Sequence, residues 1–502
     1  FRPGSGFKST GPSAGKGGRT EPFFFSVSQK YLIWMSANEM RFTENGGVIV
    51  TLAASSSIAN GIFAVGLPSW TNISAGASTA TGGATGLVLD GDGANVAGVR
   101  QQVATASPGV RHSIKLEIAH GPVNLRIGST SGDDDLFAAE DLRTGTHVLS
   151  FTPAGSYWVE LTSTLDRRVT ATSITVLGAG DLVLPTAWDA DDIWRLRLEP
   201  SLNVMYVADG AHVKRRIERR GAASWSLTYA DEQDGPVGRI NTDDTFTITP
   251  SVRAGNGTLT ANRSLFKAAH VGALFELTHS GQFESRTVTG ADQWSSPIQV
   301  TGVSTGRTVY WTVTGAYTGT VRLQRSVGNE TSWEDVVSGT GTYTSVDTPG
   351  SFTYRDAEDN VLIFYRVGIK TAEYTSGTPL VTINFPFGTT IGMARVTAFT
   401  SALLVDMEVL ADFAATTATA EWAEGAWSDL RGHPKGIGIF NGRLWNGFAD
   451  KIWGSGSDLY ESQAAGDDDG DAIKRSLAVG AAAPEIVWLL ALSRLIAGTT
   501  LS

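Results

Sequence analysis

Short apolar stretches separated by tight polar turns recur along the chain, a pattern that indicates β-strands rather than helices. Each unit has an apolar strand, a short polar turn and a second apolar strand rich in β-branched or aromatic residues. Four such units lie at residues 23–42, 196–216, 436–455 and 486–502, with turns centred on Ser28, Ser201, Asn441 and Ser493. Recurrent units of this size are typical of propeller blades, so the pattern predicts a β-propeller-like platform whose blades are interrupted by other domains.

Two longer stretches separate the predicted blades. Residues 72–180 begin with a linker rich in Gly, Ala and Thr and continue as alternating strands at a spacing of about 8–12 residues. This pattern predicts an inserted β-sandwich, and we interpret it as a jelly roll. Residues 297–388 repeat the pattern and predict an immunoglobulin-like sandwich with Trp311 and Tyr365 in its core.

The expected fold class is therefore all-β: an interrupted β-propeller-like platform with inserted jelly-roll and immunoglobulin-like sandwiches. The best helix candidates are two short segments, Leu136–Leu142 and Asp471–Ala478. The predicted domains are an N-terminal arm with the first blade (1–71), the jelly roll (72–180), a blade with a small β region (181–296), the immunoglobulin-like sandwich (297–388) and the C-terminal blades (389–502). The chain starts at Phe1 rather than Met and stops within a predicted strand, so we expect it to be part of a longer polypeptide with an incomplete last blade.

The composition supports this fold and restricts the chemistry. The 502 residues include 58 Gly, which suits many tight turns because Gly adopts positive φ with little steric strain. The absence of Cys excludes disulfides, thiolate metal sites and a Cys nucleophile, and it fits assembly in a reducing cytoplasm. No apolar run reaches the roughly 18 residues that a membrane-spanning helix needs, so no membrane-spanning segment is expected.

The charge balance argues against tight binding to duplex DNA. Net charge is −11, whereas a protein that binds duplex DNA needs a basic face that neutralises phosphates. One positive stripe runs through Lys214, Arg215, Arg216, Arg219 and Arg220. It would contact either DNA phosphates or an acidic neighbouring subunit, and the alternative is a solvated strand edge protected by its charge.

Three residues of one acidic run are calcium candidates: Asp467, Asp469 and Asp471. Hard cations bind several converging oxygen ligands, and alternating carboxylates next to a Gly often supply them. The run lacks the Glu that completes a calcium loop at its twelfth position. The alternative is a solvated loop in which Asp471 caps a short helix.

A catalytic cleft is the least supported interpretation. Glu421, Glu424 and Asp429 lie near Trp422 and Trp427, a composition that sugar-cleaving clefts also have. Carboxylates without known geometry prove little, and Trp in an all-β chain is more often a core residue. No pair of His stands at metal-ligand spacing. The Gly-x-Ser-x-Gly match at Gly11–Gly15 has no apolar strand before it and no helix after it, so it does not predict a nucleophile elbow. We therefore assign no catalytic or cofactor-binding residues and expect a protein that is not an enzyme and has no cofactor.

Several segments, taken in order, resemble one family, the tail tubular protein B or tail nozzle proteins of short-tailed bacteriophages. The segments that resemble it are RPGSGF from Arg2, PFFFSVSQKYLIWM from Pro22, LPTAWDADDIWRLRLEPSLNVMYVADG from Leu184, GAWSDLRGHPKGIGIFNGRLW from Gly425 and IVWLLALSRLIAGT from Ile486. The insertion from Gly121 to Leu161 resembles a sandwich domain of some members. Each motif is loose, and their collinear order carries the resemblance.

The resemblance implies a structural protein of the virion tail, assembled in the host bacterial cytoplasm. It implies a homo-hexameric ring below the tail adaptor, the head-to-tail connector protein, that encloses and closes the DNA ejection channel. Tail fibres or spikes would dock on this ring, and phage genomic DNA would contact it transiently. The resemblance names no catalytic residues.

Two functions of other classes stay open. The first is a glycan-binding adhesin or receptor-binding tail module, whose jelly roll at residues 72–180 would recognise sugars. The second is a polysaccharide-degrading enzyme, which would need two carboxylates in a cleft near Trp422 and Trp427.

Overall fold

The structure is a computed structural model that describes residues 18–24, 29–328, 332–337, 344–355, 358, 361–466, 468–477 and 484–500. Within these residues the fold is nearly all β, and the one α-helix, α1, has four residues (Asp192–Arg195). Two 3₁₀ turns lie at Ala268–His270 and Ser304–Arg307. The helices in this part of the chain are too short to cross a bilayer. The arm was predicted at residues 1–22, of which residues 1–17 lie outside the described residues and the rest belongs to the first strand. The turn at Ser28 and Asp467 also lie outside the described residues.

The first sheet is an antiparallel meander near the N-terminus. The strands up to the first insertion are β1 (Gly18–Phe24), β2 (Lys30–Ser36), β3 (Glu39–Glu44), β4 (Gly47–Val48) and β5 (Val50–Thr51). Alternate residues of β2 are buried, and tight turns follow at Asn38 and Asn45, which both have positive φ. This sheet is completed by a strand from beyond the insertion, described below as β17.

The first insertion is a two-sheet β-sandwich. Its strands are β6 (Thr71–Asn72), β7 (Thr79–Gly83), β8 (Gly86–Asp90), β9 (Ala97–Val103), β10 (His112–His120), β11 (Val123–Gly128), β12 (Phe137–Leu142), β13 (Gly145–Phe151), β14 (Tyr157–Ser163) and β15 (Arg168–Val176). One sheet has the order β12-β11-β14-β9-β6, and the other contains β13-β10-β15-β8-β7. Inward-facing residues such as Leu116, Leu125 and Leu161 are fully buried between the sheets, which explains the alternating pattern in the sequence.

The chain then returns to the platform and builds a second meander. The strands are β16 (Gly180–Asp181), β17 (Val183–Pro185), β18 (Arg197–Ser201), β19 (Val204–Ala208), β20 (Arg215–Gly221) and β21 (Ser224–Tyr229). Strand β21 pairs with β13, so this meander and one sheet of the sandwich form a single nine-stranded sheet. Trp225 is the centre of the core between the first two meanders, where it contacts Phe23, Tyr31 and Phe42.

The middle of the chain builds a second nine-stranded sheet and a second sandwich. The strands are β22 (Val237–Ile240), β23 (Ile248–Pro250), β24 (Asn256–Ala261), β25 (Leu274–Thr287), β26 (Gln293–Trp294), β27 (Ile298–Val300), β28 (Thr308–Thr314), β29 (Tyr317–Val327), β30 (Glu334–Asp335), β31 (Ser345–Val346), β32 (Gly350–Arg355), β33 (Ile363–Gly377), β34 (Leu380–Ser401), β35 (Leu404–Ala411) and β36 (Trp422–Gly425). Trp311 and Tyr365 are fully buried in the sandwich core, as the sequence indicated.

Two long strands, β25 and β34, join this sandwich to the nine-stranded sheet. They pair at thirteen positions from Leu274 to Thr287, with one irregularity between Ser280 and Gln282. Gly281 and Gly388, both with positive φ, lie at this irregularity. Strand β34 pairs with β28 at its start and with β35 at its end, so one strand belongs to both modules.

The last part contains a four-stranded meander and a hairpin. The strands are β37 (Gly436–Phe440), β38 (Arg443–Phe448), β39 (Lys451–Gly454), β40 (Ile473–Ser476), β41 (Ile486–Ala491) and β42 (Leu495–Thr499). The predicted turn at Asn441 is a two-residue turn in which Asn441 and Gly442 both have positive φ. The all-β class, with propeller-like meanders interrupted by sandwiches, is confirmed.

Both helix candidates were wrong. Residues Phe137–Leu142 form the strand β12, which pairs with β11 at the edge of the first sandwich. In the second candidate, Ile473–Ser476 form the strand β40, and Ala478 lies outside the described residues. Pairing with a neighbouring strand outweighs the modest helix propensity of either segment.

His147, in β13, is fully buried where the first sandwich joins the second meander. Its Nδ1 lies 2.8 Å from the Ser226 hydroxyl oxygen and its Nε2 lies 2.9 Å from the carbonyl oxygen of Arg143. Burial lowers the pKa of His147 from 6.5 to about 4, because the charged imidazolium would be desolvated there.

We expect this histidine to make the fold less stable in acid. Because its pKa is lower in the folded state, stability is complete above pH 6.5 and falls as the pH decreases towards 4. Between pH 7 and 4.5 the free energy of unfolding should decrease by about 2–3 kcal/mol more in the unmodified protein than in His147→Gln. Urea unfolding at both pH values measures this difference, and equal losses in the two proteins would contradict it.

Candidate functional site at the module junction

A cavity of about 860 Å³, here called the junction cleft, lies where the modules meet. Its walls come from the ends of β10 and β15, the segment around β20 and β21, strands β24, β34 and β35, and the loop at residues 427–434. The ionisable side chains that line it are His120, Arg168, Lys214, Asp231, Glu232, Arg395, Asp406, Asp429 and His433. A polar pocket of about 300 Å³ shares Val213, Tyr229, Asp429 and His433 with it.

Glu408 is the buried carboxylate that links the first sandwich to the second nine-stranded sheet. Its side chain is 1% exposed, and it pairs with the Nε2 atom of His120 at 2.9 Å and with the Nε atom of Arg167 at 3.2 Å. Both partners belong to the sandwich, whereas a third, Arg395 at 3.3 Å, comes from the adjacent strand β34. One carboxylate therefore holds positively charged or ionisable groups from two modules.

Arg395 extends this network to the segment that follows β21. It pairs with Asp231 at 2.7 Å and donates a hydrogen bond to the backbone carbonyl of Glu232 at 2.8 Å. The Glu232 carboxylate in turn pairs with Lys214, which is 2% exposed and donates to Asn446 at 3.0 Å. The junction is thus held by a continuous network of ion pairs and hydrogen bonds.

Glu461 is a second carboxylate of this kind. It pairs with Arg143 of the first sandwich and with Arg216 of β20, each at 2.9 Å, and accepts a hydrogen bond from Tyr206 at 2.9 Å. Burial raises the pKa of the Tyr206 hydroxyl above its usual value, and the charge of Glu461 raises it further. Glu461 therefore links the C-terminal part of the chain to the first sandwich and to the second meander.

The positive stripe predicted from the sequence is largely neutralised inside the molecule. Lys214 and Arg216 pair with Glu232 and Glu461 as described, and Arg220 pairs with Glu218 and Glu140. Burial alone would raise the pKa of Glu218, but Arg216 and Arg220 outweigh it and hold the pKa below its usual value.

The two other residues of the stripe lie against tyrosine rings. Arg219 donates to Gln29 at 2.9 Å and lies 5.2 Å from the ring centroid of Tyr31. Arg215 lies 3.6 Å from the ring centroid of Tyr229, and no carboxylate pairs with it in the part of the chain that the structure describes. Contact of the stripe with DNA or with a neighbouring subunit stays a prediction.

The acidic loop, of which the structure describes residues 468–471, lies around the guanidinium group of Arg443. The guanidinium of Arg443, a residue that is 6% exposed, donates to the carbonyl oxygens of Ser455 and Asp471 at 2.5 Å and to that of Asp469. The Asp471 carboxylate accepts a hydrogen bond from the backbone N–H of Asp468 at 2.9 Å. Calcium binding by Asp469 and Asp471 stays a prediction, and Asp467 lies outside the described residues.

We expect Arg443→Met to lower the free energy of unfolding by about 2–3 kcal/mol, because it removes a guanidinium that donates to three backbone carbonyls, one of them on the fully buried Ser455. Urea unfolding measures this, with Arg475→Met as the control, since Arg475 is exposed. If the loop instead depends on calcium, a chelator will destabilise the unmodified protein and Arg443→Met will have little effect.

Two of the three carboxylates near Trp422 and Trp427, Glu424 and Asp429, have partners in the chain, whereas the exposed Glu421 carboxylate has no ion pair within the described residues. Glu424 pairs with Arg431 and lies 3.2 Å from the Nε2 atom of His270. Burial opposes the ionisation of Glu424, but His270 and Arg431 outweigh it and lower its pKa. Trp422 donates its indole N–H to the Phe246 carbonyl inside the core at 2.9 Å.

One group of side chains missed in the sequence has metal-ligand geometry. Ligand atoms of Asp192, Asp209 and His212 lie within 4.8 Å of one another. Asp192 already pairs with Arg195, and Asp209 lies 2.6 Å from Nδ1 of His212. Existing donors account for these carboxylates, so the group stabilises the end of β19 and α1.

Comparison with known proteins gives no family. No protein-family model and no curated protein match the chain. Among solved structures, AerE from Microcystis aeruginosa has 9% identity and a TM-score of 0.11, over 64% of this chain and 98% of AerE. A tandem CBM22 domain of Xyn10C from Paenibacillus barcinonensis has 12% identity and a TM-score of 0.15, over 71% and 97%. The coconut allergen cocosin has 12% identity and a TM-score of 0.10, over 64% and 86%. Similarities this low carry no argument about function.

Proposed function

We propose that the chain is a structural subunit of the tail nozzle of a short-tailed bacteriophage, without enzymatic activity. The collinear motifs that resemble this family supply the assignment. In this role six copies form a ring below the adaptor protein, enclose the DNA ejection channel and present surfaces for fibres or spikes.

The internal neutralisation of the positive stripe carries the physical argument for this proposal. A channel wall must let DNA pass without holding it, so cations that could bind phosphates have to be few or already paired. Lys214, Arg216 and Arg220 are paired with carboxylates of the same chain. With a net charge of −11, the remaining surface repels the DNA backbone on average.

The connections between modules suit a rigid subunit in the wall of a channel. Sheets continue from one module into the next at β13–β21 and along β34, and the carboxylates of Glu408 and Glu461 link parts that are distant in the sequence. Such continuity favours a rigid subunit over domains that move on linkers.

Two measurements on the purified full chain test this function. Electron micrographs should contain rings with six-fold symmetry. Fluorescence anisotropy with a duplex of about 30 base pairs, in about 0.15 M salt, should give a Kd weaker than about 10⁻⁴ M.

Glu461→Gln is the matched control for the DNA measurement, because it removes the carboxylate that pairs with Arg143 and leaves Arg216 with Glu218 alone, so it should strengthen binding. Tight, salt-sensitive DNA binding by the unmodified protein would contradict the proposal. Particles without six-fold symmetry, together with specific binding on a glycan array or cleavage of a polysaccharide, would favour the adhesin or the enzyme instead.

A further inference from the structure

The junction cleft has a specific charge pattern: its cations are already paired. Lys214 pairs with Glu232, Arg395 with Asp231, and Arg168 with Asp90 at 2.8 Å. His120 pairs with Glu408. Within the described residues, a phosphate or another anion entering the cleft would therefore have to displace an internal carboxylate, which disfavours anionic ligands.

The aromatic rings of Tyr229 and Trp427, which line the cleft, already lie against cations of the protein. Arg215 lies over Tyr229 at 3.6 Å, and the Lys214 amine lies 5.3 Å from the ring centroid of Trp427. Proteins often bind sugar rings against a free aromatic face, and here a cation already lies over each ring. A carbohydrate is therefore a poor fit for this cleft.

The binding capacity that remains is negative and polar. Asp406 is exposed on β35, and no ion pair is described for its carboxylate in the part of the chain that the structure covers. The Asp429 side chain is 64% exposed and pairs with Nε2 of His433 through Oδ1 at 2.9 Å, and within the described residues its Oδ2 has no such partner. Asn256 and Thr258 add uncharged polar groups to the lining. These groups fit a ligand that carries ammonium or guanidinium groups.

The size of the cleft matches a short peptide. A volume of about 860 Å³ is far more than one Lys side chain fills, and it lies within the range of about 300–1,000 Å³ that ligand pockets occupy. A segment with several small residues and two or three basic ones would fill it.

The chain itself contains such a segment at residues 1–17, FRPGSGFKSTGPSAGKG. It carries three basic residues, Arg2, Lys8 and Lys16, no Asp or Glu, and five Gly. Fully extended, 17 residues span up to about 56 Å, which allows the segment to reach a site well away from Gly18.

We propose that the junction cleft binds residues 1–17 of this chain, with their basic side chains placed against Asp406 and Asp429. The inference does not depend on the nozzle assignment. A segment from a second copy would link subunits through this contact, and a segment from the same copy would lie in its own junction cleft.

Zero-length crosslinking of the full chain tests the proposal directly. A carbodiimide joins a Lys amine to a carboxylate only when the two are in contact, and mass spectrometry identifies the joined peptides. We expect Lys8 or Lys16 to be joined to Asp406 or Asp429. The double variant Asp406→Asn, Asp429→Asn should remove these products, whereas Asp244→Asn, at an exposed residue outside the cleft, should leave them unchanged.

A binding measurement gives the second test. The full chain with Arg2→Gln, Lys8→Gln and Lys16→Gln keeps its cleft, and we expect it to bind a labelled synthetic peptide of residues 1–17. Adding Asp406→Asn and Asp429→Asn should weaken this binding by about tenfold. Melting temperatures show whether all variants fold. If the Asp variants do not fold, the Lys8→Gln and Lys16→Gln variants are the control for crosslinking, because they lack the amines that react.

Crosslinks within one copy and crosslinks between copies both support the proposal, and gel migration distinguishes them. It is overturned if Lys8 and Lys16 are joined to no cleft carboxylate or to many carboxylates without preference. It is also overturned if the peptide binds equally well to the Asn variants, or if a basic segment of another protein displaces residues 1–17 completely.

Discussion

Replacing Glu408 with alanine is expected to lower the free energy of unfolding by about 3–5 kcal/mol. The Glu408 side chain is 1% exposed and is the common partner of His120, Arg167 and Arg395. Its removal leaves the Arg167 guanidinium, on a side chain that is 10% exposed, without this carboxylate, and leaves Arg395 with Asp231 alone. An uncompensated buried charge such as that of Arg167 is strongly unfavourable. Urea unfolding monitored by tryptophan fluorescence measures the change.

Glu334→Ala is the matched control for this prediction. Glu334 also pairs with an arginine, Arg325 at 2.8 Å, but its side chain is 57% exposed. Solvent screens such a pair, so this substitution should change the free energy of unfolding by less than about 1 kcal/mol. If both substitutions have equally small effects, Glu408 does not hold the junction.

Trp225→Ala is expected to have an effect of similar size, about 3–5 kcal/mol, for a different reason. Trp225 is fully buried, stacks on Phe42 at 4.2 Å between ring centroids, and makes edge contacts with Phe23 and Tyr31. Its removal leaves a cavity between the first two meanders, which surrounding aromatic rings can fill only in part. Thermal and urea unfolding both measure the loss.

Trp194→Ala provides the comparison within the same region. Trp194 lies in α1 and is 60% exposed, so its removal creates no internal cavity. We expect a change within about 0.5 kcal/mol. A loss as large as that of Trp225→Ala would mean that Trp194 lies in an interface that forms in solution.

The sequence predicted the local parts of the fold well. Alternation of apolar residues identified many strands of both sandwiches, although β12 was predicted as a helix. The Asn441-Gly442 pair marked a hairpin turn because both residues accept positive φ. The pairing of β17 with β3 could not be seen in the same way. Val183 pairs with Arg41, although the whole first sandwich lies between them in the sequence. No local sequence pattern indicates which distant strands will pair.

Most of the candidate site could not be predicted from the sequence, because it too depends on contacts between residues that are distant in the sequence. The stripe at Lys214–Arg220 was visible, but Glu461, which pairs with Arg216, lies in a different module. His120 and Glu408 are 288 residues apart, and Arg143 and Glu461 are 318 apart. Nothing around either glutamate distinguishes it from a surface residue, so the junction network became visible only in three dimensions.

Strands β25 and β34 determine how the second sandwich responds to force. A tether between modules would pass tension through single covalent bonds and let the sandwich swivel. Here two strands continue from the nine-stranded sheet into the sandwich and are joined to each other by thirteen cross-strand pairs, so the sandwich and the sheet are displaced together. The irregularity at Gly281 and Gly388 interrupts this ladder, so we expect any bending between the two modules to be centred there.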